Sequence, residues 1–283
     1  MRTRRIGAVA AVAALALGLT ACGSDAGDTG SDSTASGSAG AGGLKVGIKF
    51  DQPGLGLKQG SEFTGMDVDV AKYIAKQLGT NEGDIQFVQA PSAQRETLIS
   101  TGQVDMVVAT YSITDARKEK VSFAGPYFIA GQDLLVRADD SSITGPDTLK
   151  GKKLCSVTGS TSAQKVKEKV PDVNLQEFAT YSECVAALAS GAIDALTTDD
   201  TILAGYAAQD QYKGKLKVVG KPFSEERYGV GLKKGDTAQC QKVTDAIKKM
   251  VTDGEWQKIV DKNLGPAGYK PGAGNPPTPD ACS

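Results

Sequence analysis

Histidine is absent from this 283-residue chain, and that absence removes whole classes of chemistry. Without an imidazole there can be no Ser-His-Asp triad, no Cys-His pair, no HExxH zinc site and no histidine-based pH switch. An excess of one charge is lacking as well. The 32 basic and 33 acidic side chains leave a formal net charge of -1, far from the basic surplus with which proteins hold nucleic acid, so no nucleic-acid partner is expected. There is no Walker A sequence, because the Gly-Lys pairs at Gly151, Gly214 and Gly220 run on into Lys153, Leu216 and Pro222. The glycines from Gly54 to Gly60, and Gly229 with Gly231, do not keep the spacing of a nucleotide loop. Any ATP hydrolysis must belong to a partner. No CxxC spacing exists, so neither a zinc site nor any other resident metal or cofactor is expected.

Five cysteines make an odd set, and the N-terminus explains the odd one. Arg2, Arg4 and Arg5 precede an apolar run from Ile6 to Leu19. The run is shorter than the roughly 20 residues a membrane helix needs, and it suits a signal h-region. It ends in Leu19-Thr20-Ala21-Cys22, which resembles the bacterial lipobox. Residues 1–21 are then a lipoprotein signal peptide and Cys22 becomes the lipidated N-terminus; an ordinary signal peptide cut near Ala21 is the other reading. Gly23 to Gly43 contains only Gly, Ser, Ala, Asp and Thr, with no apolar surface to offset the entropy of ordering. Residues 22–43 therefore read as an anchor and a flexible tether with a reach on the order of 25 Å. The expectation is an exported protein on the outer face of the cytoplasmic membrane, touching the membrane only through its lipid.

Cys155, Cys184, Cys240 and Cys282 remain, an even set for which an exported chain predicts disulfides. Three pairings are open. Cys155 with Cys184 and Cys240 with Cys282 is favoured, because each pair then lies within one region of the chain.

From Leu44 the hydrophobic pattern alternates between strand and helix. Leu44 to Lys49 predicts a strand; Val70, Ala71, Ile74, Ala75 and Leu78 recur at helical spacing up to Gly79; Ile85 to Gln89 predicts a second strand. A helix after Pro91-Ser92 reaches Gly102, and Val104 to Ala109 predicts a third strand. This is a parallel βαβαβ unit, and ligands of such units sit at strand C-terminal ends. A second unit follows: strand Lys153 to Val157, helix from Thr161, strand Leu175 to Phe178, helix from Ser182, strand Ile193 to Thr197 and helix from Thr201. The two units echo each other in Gly102-Gln103-Val104-Asp105 and Gly191-Ala192-Ile193-Asp194, where a helix stops and a strand begins. The expected body has lobe 1 from 44–132 and 228–283, lobe 2 from 138–222, and hinge crossings at 133–137 and 223–227. Helices over Thr237 to Val251 and Glu255 to Asn263 precede an extended Pro-rich tail from Gly265 to Ser283.

Several ordered motifs carry a family resemblance. They are Glu62-Phe-Thr-Gly65-Met-Asp67-Val-Asp69, Gly102-Gln-Val-Asp105, Ser112-Ile-Thr114-Asp-Ala-Arg117, Phe123-Ala-Gly-Pro126-Tyr127, Leu149-Lys-Gly151 and Gly159-Ser160-Thr161. In this order the chain after Gly43 resembles the polar amino-acid solute-binding proteins of bacterial ABC importers, and among them the glutamate-binding lipoproteins. The resemblance implies an α/β, two-lobed periplasmic-binding-protein fold of type II with a two-segment hinge. It also implies a monomer that closes on one amino acid and delivers it to membrane permease subunits. Arg117 offers a planar fork for an α-carboxylate, with Thr110 and Ser112 beside it. Ser160 and Thr161 lie where a strand turns into a helix, whose N–H groups and dipole favour the same carboxylate. Asp199 matches the family position that receives the α-ammonium. Lys49 stands where many relatives carry an acid, and Arg95 matches a cation of glutamate-binding relatives, so both suit a distal carboxylate. Glutamate, glutamine and aspartate remain open.

An enzyme on the same fold is the rival class, with Asp199 or Glu225 as a general acid or base. It is disfavoured because no appended catalytic domain follows the last helices, and no catalytic residue is expected.

Overall fold

The computed structural model describes residues 43–283; the expected signal peptide, Cys22 and all of the tether except Gly43 lie outside the described residues. The chain starts with β1 (Leu44–Ile48), then a small antiparallel sheet of β2 (Asp51–Gln52), β3 (Gly56–Gln59) and β4 (Glu62–Thr64). Helix α1 (Met66–Gln77) buries Val70, Ala71, Ile74 and Ala75 on one face, and Gly79, at φ 84, takes the left-handed conformation that ends it. There follow β5 (Ile85–Gln89), α2 (Arg95–Ser100), β6 (Met106–Val107) and α3 (Asp115–Lys118). β1 pairs in parallel with β5 on one side and β6 on the other. The expected strand over Val104 to Ala109 is thus only two residues long. Its flanks are drawn elsewhere: the Val104 N–H closes the end of α2 on Leu98 O, and Thr110, at φ 45, turns the chain away.

The second unit comprises β8 (Lys153–Val157), α4 (Thr161–Lys169), β9 (Asn174–Phe178), α5 (Tyr181–Ala189), β10 (Ala195–Asp199) and α6 (Asp200–Ala207). It is preceded by β7 (Val121–Arg137) and followed by β11 (Leu216–Val218), β12 (Glu225–Lys233), α7 (Thr237–Thr252) and α8 (Glu255–Leu264). The strand order is β5-β1-β6-β12-β7-β10-β8-β9, with β11 also on β7. Each parallel unit therefore has its first strand in the middle. Both units also use the echoed aspartates in the same way. Asp105 accepts from the Lys45 N–H and Asp194 from the Lys153 N–H, each at 2.8 Å, tying the third strand to the start of the first.

The segment expected to cross between lobes is itself strand. β7 pairs with β12 from Val121 to Gly131, then with β10 from Gln132 to Val136 and with β11 from Leu135 to Arg137. Buried backbone donors need partners, and a strand running through both halves finds them on each side of the join. Helices cover the sheets. Leu98, Ile99, Val107, Tyr111 and Phe123 form one cluster under α2, and Leu134, Leu154, Val166 and Ala195 another under α4. Full burial of each such aliphatic side chain contributes about 1.5–3 kcal/mol.

The tail lies along the edge of β7 that β12 leaves free. Phe123 donates to Ser283 O at 3.1 Å, Asp280 donates to Gly125 O at 2.8 Å, and the Asn275 amide bonds both backbone groups of Ile129. An edge so covered cannot pair with another chain. Disulfides join Cys240 to Cys282, fastening the tail to α7, and Cys155 to Cys184, fastening β8 to α5. Replacing Cys240 and Cys282 together by alanine should cost roughly 4 kcal/mol on a chain-entropy basis. Denaturant unfolding without reductant measures this, and a loss under about 0.5 kcal/mol would mean the tail contributes nothing to the body.

Candidate functional site

In each lobe the chain runs from the middle strand to the outer one, then returns to the inner one, and the crevice at that reversal is where ligands of such sheets sit. The buried polar residues gather there. Lys49 follows β1, Thr110 and Ser112 follow β6, Ser160 and Thr161 follow β8, and Asp199 ends β10. With Arg95 and Arg117 these expected ligand residues are all at most 7% exposed. Arg95, Thr110, Ser160, Thr161 and Asp199 line one cavity between the lobes, together with Ser92, Ser162 and Tyr181. Ser112, Arg117 and Lys49 do not line it but brace its walls. The Ser112 and Thr161 hydroxyls lie 3.3 Å apart across the cleft, and Arg117 donates from Nη1 to Ser112 O at 2.7 Å and from Nη2 to Gly159 O at 3.1 Å. Lys49 donates from Nζ to Ser92 Oγ at 2.7 Å and borders a neighbouring crevice with Asp51, Gln89 and Thr180.

Positive charge collects on the first lobe. Arg95 donates to Ser92 O and Ala109 O, and both Arg95 and Arg117 lie against the Tyr111 ring, at 4.2 and 4.9 Å from its centroid. Glu96 approaches Arg117 Nε at 3.6 Å. Burial, and next the repulsion of Arg95, lower the Lys49 ammonium from 10.5 to about 7 and the Arg117 guanidinium from its ordinary value to about 10. Asp51 and Asp67 offset this for Lys49, and Glu96 and Glu226 for Arg117, without cancelling it. Negative charge lies on the other wall. Asp199 accepts from Tyr228 OH at 2.7 Å and from Ser162 Oγ at 3.3 Å, and burial followed by the nearby Glu226 carboxylate raises its pKa. Such a site can take a zwitterion with its anionic groups toward one lobe and its ammonium toward the other.

Some buried charged groups beside the cavity carried no sequence signal. Glu226 is fully buried; it accepts from Thr161 Oγ1 at 2.9 Å and from Lys165 Nζ at 2.5 Å. Glu225, the residue considered as a possible acid or base, is exposed. Adjacent glutamates on a strand point to opposite faces, and only tertiary packing says which face is inside. Asp67 stood within a recognised motif but had no role. Its carboxylate accepts from the Thr110 N–H and from Tyr127 OH, both at 2.8 Å, and so holds Thr110 in a conformation costly for a β-branched residue. The hydroxyls of Ser160 and Thr161 are both spent within the protein, on the α4 cap and on Glu226. What remains there for a ligand is the helix's first N–H groups, which no intrahelical carbonyl can reach.

Residues 44–266 match the bacterial extracellular solute-binding proteins, family 3. This chain belongs to that family. It is 47% identical over 273 residues to a glutamate-binding protein, GluB, of Corynebacterium glutamicum, covering 92% of this chain and 90% of the relative. It is 40% identical over 221 residues to the ABC transporter glutamine-binding protein GlnH of Bacillus subtilis, covering 77% and 80%. Among solved structures, an ancestral arginine-binding protein bound to glutamine superposes with a TM-score of 0.74 at 36% identity, over 79% of this chain and 98% of that one. The two-lobed architecture of this family-3 solute-binding protein is accordingly the type II periplasmic-binding fold.

The unmatched cations give the solute-binding protein a pH signature. Between about pH 7 and 10.5 the unfolded chain holds a proton at Lys49 that the folded, ligand-free chain has released, so this residue's contribution to stability rises with pH. Asp199 acts oppositely: above its unfolded value the folded state keeps a proton that the unfolded chain has lost, and stability falls as pH rises toward the folded value. The variant Lys49→Met should therefore lack a rise of up to about 1.4 kcal/mol per pH unit that the wild type shows. Urea unfolding at pH 7 and pH 9.5 compares the two, and parallel profiles would mean that Lys49 is hydrated.

Proposed function

We propose that this solute-binding protein captures an acidic amino acid, L-glutamate, by lobe closure and delivers it to the permease of an ABC importer. The observation that carries the reading is the opposition of a cationic wall, Lys49, Arg95 and Arg117, to the buried carboxylate of Asp199. In this reading Thr110 and the start of α4 at Ser160 and Thr161 receive the α-carboxylate, with Arg117 and Ser112 behind that wall supplying charge and support. Asp199 receives the α-ammonium, and Arg95, with Lys49 behind it through Ser92, faces the distal carboxylate. The relative named a glutamate-binding protein, similar over most of its length, supports the assignment. Glutamine is the second reading, favoured by the glutamine-binding relative and by the glutamine-bound ancestral protein. It would leave a desolvated cation unmatched, at a cost of a few kcal/mol.

Closure moves lobe 1 (44–132 and 228–283) against lobe 2 (138–222) about crossings near 133–137 and 223–227, beside the point where β7 changes partners. The protein binds without turnover. Its similarity to proteins named for binding and the exposure of Glu225 support that view. It works as a lipid-anchored monomer on the outer face of the cytoplasmic membrane, a view supported by the lipobox-like Leu19-Thr20-Ala21-Cys22 and the apolar-free stretch behind it.

Thermal shift with each of the twenty amino acids is the direct test. A ligand at 100 times its Kd stabilises by about 2.7 kcal/mol, and no shift with any acidic amino acid would sink the glutamate assignment. Arg95→Ala should then lower glutamate affinity by on the order of a hundredfold while leaving the weaker glutamine binding within a few-fold. Calorimetry that finds equal losses would deny Arg95 a part in side-chain recognition.

A further inference from the structure

Helix α5 is capped half by its own lobe and half by the other. A helix start exposes four N–H groups. Thr180 and Glu183 satisfy two of them reciprocally: Glu183 Oε2 accepts from the Thr180 N–H at 2.9 Å, and Thr180 Oγ1 accepts from the Glu183 N–H at 3.3 Å. The two between them, at Tyr181 and Ser182, donate at 3.1 and 3.3 Å to Oδ2 of Asp51, which belongs to β2 of the first lobe. Tyr206, on α6 of the second lobe, donates its hydroxyl to the Asp51 backbone carbonyl and also lies 3.2 Å from Oδ2. Beside them Gly205 sits so close to lobe 1 that a Cβ would stand 2.1 Å from Pro53 O.

Position gives this contact its meaning. The start of α5 follows β9, the outermost strand of the order β7-β10-β8-β9, while α5 and α6 themselves pack back against β7. Asp51 thus joins the two lobes through a contact separate from the shared strand. A carboxylate at a helix N-terminus is also favoured by the aligned peptide dipoles. Asp51 does not line the ligand cavity, whereas Tyr181, whose N–H it holds, does. We propose that Asp51 is a closure latch: it caps α5 across the cleft when the lobes meet, sets the Tyr181 wall, and slows release of a ligand it never touches. The proposal rests on the reading that the ligand binds between the lobes.

The lipid-free mature protein serves for the test, with glutamate dissociation followed by displacement of labelled ligand and affinity by calorimetry. Asp51→Ala should raise koff about tenfold, in keeping with the strength of a charged cap, with kon changed less than about twofold; Asp51→Asn, keeping an acceptor without the charge, should fall between. Gly205→Ala separates a latch from general damage. Alanine is the better helix former, so the Tm of the ligand-free protein should hold or rise while affinity falls, because the added Cβ meets Pro53 O only in the closed form. An unchanged koff for Asp51→Ala, a fall in kon that accounts for its weaker binding, or a Gly205→Ala protein that binds as tightly as wild type would each overturn the latch. A wild type that binds no glutamate would count against the glutamate assignment alone. The same koff comparison would then be made with the amino acid that gives the largest thermal shift, and an unchanged koff for Asp51→Ala would overturn the latch.

Discussion

Strand β7 pairs with β12 through Gly131 and with β10 from Gln132 onward, so one extended backbone belongs to both sheets. The rest of the molecule follows from that sharing. Each parallel unit places its chain reversal at the C-terminal end of its sheet, and the common strand sets these two ends face to face. Residues at the ends of β1, β6, β8 and β10 are thereby brought within hydrogen-bonding distance across a cleft, as Ser112 and Thr161 or Arg117 and Gly159 show. The buried cations stand on the first unit and Asp199 on the second.

The electrostatics of the cleft are unfavourable by construction. Lys49, Arg95 and Arg117 are buried together, and their nearest partners are backbone carbonyls, the Ser92 hydroxyl and the Tyr111 ring, with Glu96 3.6 Å from Arg117 and Asp51 acting on Lys49. Dipoles and a ring face soften a buried charge without cancelling it, which is why burial depresses the Lys49 and Arg117 pKa values. On the other wall Asp199 and Glu226 repel each other in the same way. A ligand that carries negative charge toward one wall and positive charge toward the other relieves both strains at once.

Much of this was legible in the chain. The strand-helix alternation located β1, α1, β5, α2, β8, α4, β9 and α5 because apolar side chains at periods of 3.6 and 2 have one low-energy way to be buried. The echo of Asp105 and Asp194 marked a repeated tie that the structure makes with the same geometry in both lobes. Arg95 and Asp199 were marked by the family resemblance, and Arg117 by its place beyond the third strand together with that resemblance; all three are buried around the cleft. Less could be read where the signal is not periodic. β7 looked like a connection, since a strand shared by two sheets is buried throughout and has no polar face. The tail looked merely extended, because its role as an edge cover depends on the free side of β7. Glu226 could not be told from Glu225, and Asp51, an ordinary acid after a strand, revealed nothing of the helix it caps.

The sequence by itself determined the local elements, the set of charges available for a site and, through ordered motifs, the family to which the chain belongs. These depend on neighbours along the chain, where spacing is fixed by covalent geometry. Only the tertiary structure decided which charges face each other, which hydroxyls are already spent and which lobe caps which helix. Those are distances between residues as far apart as Asp51 and Ser182, and such distances are set by the packing of whole sheets about one shared strand.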